Sequence, residues 1–333
     1  MHKVNLSKYN LRTDLIIENN LQNIKNKHYI KNGIEVVDIL LEKDNELKRK
    51  KGKYVTISFD DVTDSTSYSN VVSVFFNELK KVLKYLNLKK SNNCLVIGLG
   101  NHNIISDALG ANVLDNIIVT RHLYEIGNVD KKYRNVAILE PSVMGVTGID
   151  SFDVVKSVIN TIKPDFILAI DSLCASNIER LNKVIQISSS GITPGSGIGN
   201  TRKELSLDTL NIPVIAIGVP TVVDSAVIVC NSLKLLIKKI GYLKKNIDSN
   251  TDKLKNPNKI NYLKKENELE EHEKKDLLGY IGLLNEDELQ KLMLEVLNPV
   301  NANMIVTPKE IDFIMEKMGK LIAEGINKAL HNI

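Results

Sequence analysis

Between residues 94 and 240 the chain alternates short apolar runs with longer stretches whose apolar residues recur at helical spacing. The runs near 94–99, 136–139, 165–170, 184–187 and 213–219 are rich in Val, Ile and Leu and bounded by turn residues, which predicts strands buried on both faces. The stretches 106–116, 151–162, 201–210 and 224–240 predict amphipathic helices, and Thr201 with Glu204 fits a capping box at the start of the third. Alternation of this kind predicts an α/β fold with a mainly parallel sheet covered on both faces. Upstream, YVTISF (54–59) alternates as a half-buried strand, and Val71, Val72, Phe75, Phe76, Leu79, Val82, Leu83 and Leu86 mark a helix over 67–86. Residues 1–30 are polar without sustained periodicity, apart from the apolar and acidic patch LRTDLIIEN (11–19). Residues 242–275 are nearly devoid of apolar side chains and read as an exposed polar insertion. Two further amphipathic helices are predicted over 286–297 and 308–330, with Pro308 at the first position of the second and Glu310 three residues after Thr307.

The chain has 333 residues, enough for one large domain or two modest ones. A hydrophobic content of 43% and a charged content of 25% are ordinary for a soluble globular protein. No stretch has the length of an apolar membrane span, and residues 1–20 lack the apolar core of a signal peptide. Three isolated cysteines, Cys94, Cys174 and Cys230, point to free thiols in a reducing interior. A net charge of +4 and the absence of Trp argue against direct nucleic-acid binding.

Two acids carry the candidate chemistry. Asp107 follows the run NCLVIGLGN, and Asp171 closes KPDFILAID. Both are expected just past strand ends, at the sheet edge where open α/β folds place their ligands. Two carboxylates brought together there share one proton and can activate water. The plainer readings are a first-turn helix acid for Asp107 and a helix cap for Asp171. Gly98, Gly100 and Asn101 in GLGN permit a tight turn that orients a substrate or an acid. The dinucleotide fingerprint fails because Asn103 stands where a third glycine belongs. Gly195, Ser196 and Gly197 lie in SSSGITPGSGIGN, which is either a flexible connection or a loop whose amides reach a peptide or an oxyanion. Asp224 reads as a cap or a support of the site. Cys174 near Asp171, with His122 in TRHL, offers a Cys/His pair, against the plainer reading of a packing cysteine. No HExxH or comparable pattern is present, so neither a metal nor a cofactor is expected.

Taken in order, the motifs resemble the germination proteases of endospore-forming bacteria. The matching stretches are RTDL (12–15), VIGLGN (96–101), DALG (107–110), VTRHL (119–123), VMGVTGID (143–150) and KPDFILAID (163–171). They continue with IER (178–180), PGSGIGN (194–200), RKELS (202–206), IPVIAIGVPTVVD (212–224) and VTPKEID (306–312), so that nearly the whole chain is covered.

The resemblance implies a three-layer αβα sandwich like that of hydrogenase-maturation peptidases, and an atypical aspartic endopeptidase whose two acids match Asp107 and Asp171. It implies a cytoplasmic enzyme of the spore core, a homotetramer, acting on the small acid-soluble proteins that coat spore DNA, with no contact to nucleic acid or membrane of its own. It also implies a zymogen that removes its own propeptide. The patch around Asp14 and Leu15 has an acid before and an apolar residue after the expected cut. Residues 1–14 are therefore expected to be the propeptide and 15–333 a single peptidase domain. The sequence departs from the family's pattern at His102, Ser106, Ser142, Thr193, Ser176 and Asn177. A metal-assisted peptidase of the same fold and an inactive αβα binding module are the competing expectations.

Overall fold

A computed structural model describes residues 13–18, 25–44, 49–127, 129–130, 132–195, 202–245, 268–300, 302, 304–331 and 333. The chain divides into two compact units, one made of Arg12–Val223 with Thr307–Ile333, the other containing Asp224–Val306.

In the first unit the strands are β1 (Lys25–Lys31), β2 (Ile34–Leu41), β3 (Gly52–Ser58), β4 (Cys94–Gly98), β5 (Val136–Leu139), β6 (Phe166–Ala175), β7 (Val184–Ser188) and β8 (Val214–Asp224). They lie in the order β1-β2-β3-β7-β8-β6-β4-β5. The parallel part of the sheet is β8-β6-β4-β5. Towards the other edge, β7 pairs antiparallel with β8, and β3, β2 and β1 follow antiparallel. The sheet is thus mixed, and the parallel expectation describes its β8-to-β5 half.

Most of β1 falls within residues 1–30, where the sequence shows no sustained periodicity, and β2 lies in a stretch for which the sequence reading names no element. The turn joining them is Asn32-Gly33, with φ of 52° and 77°. An Asn-Gly pair with both φ positive is the loop that matches strand twist. In β2, Ile34, Val36, Ile39 and Leu41 are buried. β1 is mostly exposed, so its sequence carries no apolar signature.

The first unit's helices are α1 (Ser65–Tyr85), α2 (Leu109–Leu114), α3 (Arg121–Ile126), α4 (Met144–Thr147), α5 (Ser151–Ile162), α6 (Leu207–Leu210) and, after the second unit, α10 (Ile311–Leu330). α1 starts at Asp64, whose carboxylate accepts the Ser67 N–H at 2.8 Å. Its apolar stripe packs with α2 and α10 on one sheet face, against Val55, Ile57, Val96, Leu168, Ile185, Ile187, Ile215 and Ile217. The opposite face is covered by α5 and α6, through Phe152, Val155, Ile159 and Leu210 against Leu95, Ile97, Ile167 and Ala169. Three layers result, because the central strands are apolar on both faces.

Three expected elements are shorter than the sequence suggested. The helix over 201–210 is α6 alone, started by Ser206 and Thr209 in a capping box, and Thr201 lies outside the described residues. The helix over 106–116 is a 3-10 turn, Ile105–Asp107, followed by α2. α10 begins at Ile311 behind Glu310, so Pro308 precedes the helix instead of opening it. In the second unit α7 (Ser225–Lys245), α8 (Glu271–Leu278) and α9 (Glu286–Leu297) are helical, and Lys234 pairs with Glu286 at 2.5 Å. Of the expected insertion at 242–275, residues 246–267 lie outside the described residues. No described helix is long and apolar enough to cross a membrane.

Candidate active site

β6 runs through Asp171 to Ala175, so this acid sits inside the strand and not past its end. Side-chain alternation decides which way it faces. Ile167 and Ala169 belong to the α5 side of the sheet, whereas Phe166, Leu168 and Ile170 belong to the α1 side. Asp171 therefore faces the α5 side. It is 6% exposed, and its Oδ1 accepts the Ser172 N–H at 2.9 Å. Burial pushes its pKa well above the ordinary carboxyl range, and the charges of Asp107 and Asp14 push the same way. The Ser172 N–H and the Arg202 cation act in the opposite sense.

Asp107 is set by glycine contacts. A Cβ on Gly98 would lie 2.6 Å from the Gly110 backbone, so α2 sits flush on the end of β4 only because both residues are glycine. Gly100 has φ of 101°, and a Cβ there would lie 2.1 Å from the Asp107 carbonyl and 2.9 Å from its Oδ1. Glycine is required on both counts. The chain thereby folds back to let the Asn101 N–H donate to Asp107 Oδ2 at 2.8 Å. The Ser106 carbonyl accepts the Thr221 hydroxyl of β8 at 2.6 Å, which ties the same turn to the sheet. The turn packs on β6. Burial raises the Asp107 pKa, while the Asn101 N–H and the Arg202 charge pull it back. Both acids are thus held above the ordinary carboxyl range, chiefly by burial, and the charge of Asp107 is felt at Asp171.

The chain's own segment around Asp14 lies against this strand. The Asp14 N–H donates to the Cys174 carbonyl at 2.9 Å, and the Cys174 N–H donates to Asp14 Oδ2 at 2.9 Å. Gln186 of β7 donates through Nε2 to the Asp14 carbonyl at 3.0 Å and accepts the Ile16 N–H through Oε1 at 2.7 Å. Leu15 and Ile16 have no exposed surface. Glu18 Oε2 accepts the Ser176 N–H at 2.8 Å, the Ser176 hydroxyl at 2.9 Å and the Thr13 hydroxyl. Arg180 Nε stands 3.5 Å from Glu18 Oε1. Arg49 holds the Thr13 carbonyl at 2.7 Å.

The remaining candidates are dispersed. His122 is exposed on α3, while Cys174 is buried in β6. Gly195 has φ of 70°, and Ser196 and Gly197 after it lie outside the described residues. Asp224 is buried as the last residue of β8 and belongs to the second unit. His102 is exposed and sits 3.4 Å from Glu140. Among the described residues, no group of three His, Cys, Asp or Glu side chains is arranged to hold a metal ion. Sequence reading missed Gln186, Thr221 and Glu18. A polar residue between Ile185 and Ile187, in a strand otherwise buried on both faces, was the available signal for Gln186.

The family profile described as germination protease matches residues 7–333. A germination protease of Bacillus licheniformis is 42% identical over 353 residues, covering 99% of this chain and 95% of its own. One of Bacillus subtilis is 40% identical, with 99% and 95% covered. Among solved structures, a NiFe hydrogenase maturation protease of Thermococcus kodakarensis overlaps 43% of this chain and 80% of its own, at 17% identity and a TM-score of 0.29.

Proposed function

This chain belongs to the germination protease family, and from that premise we propose that it is the self-processing zymogen of an aspartate-pair endopeptidase. Its substrates are the small acid-soluble proteins that coat spore DNA, and its own first cut falls between Asp14 and Leu15. The observation that carries this reading is the docked segment 13–18, which joins the strand bearing Asp171 at Cys174 and at the residue just after the strand, Ser176. The register supports it too. Asp171 is paired with Gly218 of β8, and Gly218 is paired with Gln186, so Asp171 and Gln186 share one row of the sheet. Two strand spacings separate them by about 10 Å. The carbonyl of residue 14 is held at the Gln186 end of that row.

In this reading Asp171, the more strongly shifted acid, holds the shared proton and Asp107 is ionised. Asp107, ionised, takes a proton from water as the water oxygen adds to the carbonyl carbon of residue 14. Asp171, two strands along the row, gives its proton through a bridging water to the carbonyl oxygen, which yields a neutral diol. Asp107 then passes its proton to the nitrogen of residue 15 as the C–N bond breaks, and Asp171 recovers its own from a diol hydroxyl. Until it leaves, the docked segment also excludes other substrates, which accounts for an inactive precursor.

Incubation of the processed protein with a small acid-soluble spore protein, followed by mass spectrometry, is the test. Cuts after an acid and before an apolar residue are expected, and Asp107→Asn or Asp171→Asn should each remove nearly all of them. Asp14→Lys should slow self-processing strongly, because the Cys174 N–H then faces a cation. A mature terminus well away from Leu15 refutes the processing site. Assembly as a homotetramer in the spore core belongs to the same proposal, and sedimentation of the processed protein checks the assembly.

A further inference from the structure

We propose that Gln186 is the residue that holds and polarises the peptide bond to be cut, reading the carbonyl of that bond and the N–H of the peptide that follows it. The inference rests on the reading above, in which the Asp14–Leu15 bond is the one hydrolysed.

A side-chain amide carries one donor group and one acceptor on a rigid fork. Here both prongs are used by one short stretch of backbone. Nε2 donates to the carbonyl of residue 14, and Oε1 accepts the N–H of residue 16. These two groups flank residue 15, so the pair of bonds fixes which peptide bond lies on the sheet row. The orientation of the amide is set by its partners, since a carbonyl needs a donor and an N–H needs an acceptor. Neither bond involves a substrate side chain, so the clamp tolerates different sequences, while the buried Leu15 side chain and the carboxylate of Asp14 select among them.

The position of Gln186 in the fold is unusual for its type. Ile185 and Ile187 beside it pack on the α1 side of the sheet, which turns Gln186 to the α5 side with Asp171. It is 8% exposed, and a buried amide is costly unless both ends are paired. Between it and Asp171 stands Gly218, where a Cβ would lie 2.5 Å from the Leu173 side chain. Glycine at 218 thus makes room for the Leu173 side chain of β6, which lies over this row beside the amide and the acid. As water adds to the carbonyl carbon, electron density moves onto the oxygen that Nε2 already holds. A donor fixed in advance on that oxygen strengthens its bond as the charge grows, which lowers the barrier.

The test compares self-processing of the full chain in the parent protein, Gln186→Glu and Gln186→Met, with fragments read by mass spectrometry and folding checked by melting curves. Glu keeps the acceptor for the residue 16 N–H and loses the donor. Its processing should slow by roughly 10²–10³-fold, the effect of removing one oxyanion donor, with the cut still after Asp14. Met loses both bonds, so its cut should slow as much and also scatter to neighbouring bonds. A second arm leaves the enzyme intact. A synthetic peptide of residues 9–22 in which the residue 16 N–H is replaced by an ester oxygen should show a raised KM with little change in kcat for the processed parent enzyme. With Gln186→Met the ester and the amide peptide should behave alike, as a double-mutant cycle requires. Parent-like rate and register in the folded Gln186 variants, or an ester peptide handled as well as the amide by the parent enzyme, overturns the role of Gln186. If the parent protein itself cuts elsewhere than after Asp14, both this inference and the reading beneath it fall.

Discussion

Replacing Leu15 by Ala tests the docked segment most directly. The Leu15 side chain has no exposed surface, so truncation removes three carbon groups from a fully dry position. At about 0.8 kcal/mol for each buried group the loss is about 2.4 kcal/mol, before any term for the cavity left behind. Converted at 1.4 kcal/mol per tenfold, that is about a 50-fold fall in affinity for the docked state. The assay has two formats with different expectations. In a peptide of residues 9–22 cleaved by the processed enzyme, kcat/KM should fall by the whole factor, because docking is part of the measured step. In the full chain docking is intramolecular, and the rate should fall less, because much of the population stays docked at high effective concentration. Leu15→Met keeps the volume and should cost under about 1.5 kcal/mol. A Leu15→Ala peptide cleaved after residue 14 with kcat/KM within about threefold of the parent would refute burial of this residue as a source of specificity.

Other outcomes follow from the same geometry. Asp171→Asn should abolish cleavage and change the pH dependence of stability. The folded-state pKa of Asp171 is raised, so its contribution is fully present below the unfolded carboxyl pKa and is lost as pH rises through the folded value. The Asn variant should therefore gain stability over the parent progressively across that window, as seen in melting temperatures on a pH series, and a gap that shrinks with rising pH would contradict the burial argument. Gly100→Ala should destabilise the fold by about 1–3 kcal/mol and disable cleavage, because the new Cβ meets the Asp107 carbonyl at a positive φ. A denaturant melt and a peptide assay read both effects. Ser176→Ala removes the hydroxyl bond to Glu18 but keeps the N–H bond, and should slow cleavage of the residue 9–22 peptide by roughly 10-fold or somewhat more, the value of one charge-assisted hydrogen bond. A Glu18→Gln peptide should be less sensitive to that change, and equal sensitivity would show that the two groups do not act on one another.

The sequence by itself determined the layered α/β core. Apolar runs at 94–98, 166–170, 184–188 and 214–219 are buried on both faces, and hydrophobic burial leaves such runs few arrangements besides a covered sheet. It also determined α1, α5 and α9, whose periodicity and caps agree, and it singled out the two acids. It did not determine the exposed strand β1, because a strand with solvent on its sides has no apolar alternation to read, and only the Asn32-Gly33 turn announced it. Nor did it determine where along β6 Asp171 stands. That strand continues to Ala175 because Cys174 and Ala175 pair with Val222 and Val223, a register set by a distant strand. The role of Gln186 was hidden for the same reason. A polar residue between Ile185 and Ile187 is its one local mark, and only the antiparallel return of β7 beside β8 brings residue 186 into the row of residue 171. Likewise the segment 13–18 reads as a polar terminus with an apolar patch until Cys174, Ser176 and Gln186, more than 150 residues away in the chain, supply its partners. Local pattern fixes which residues must be buried. Which buried and polar groups meet is decided by strand order and register, which no single stretch of the chain encodes.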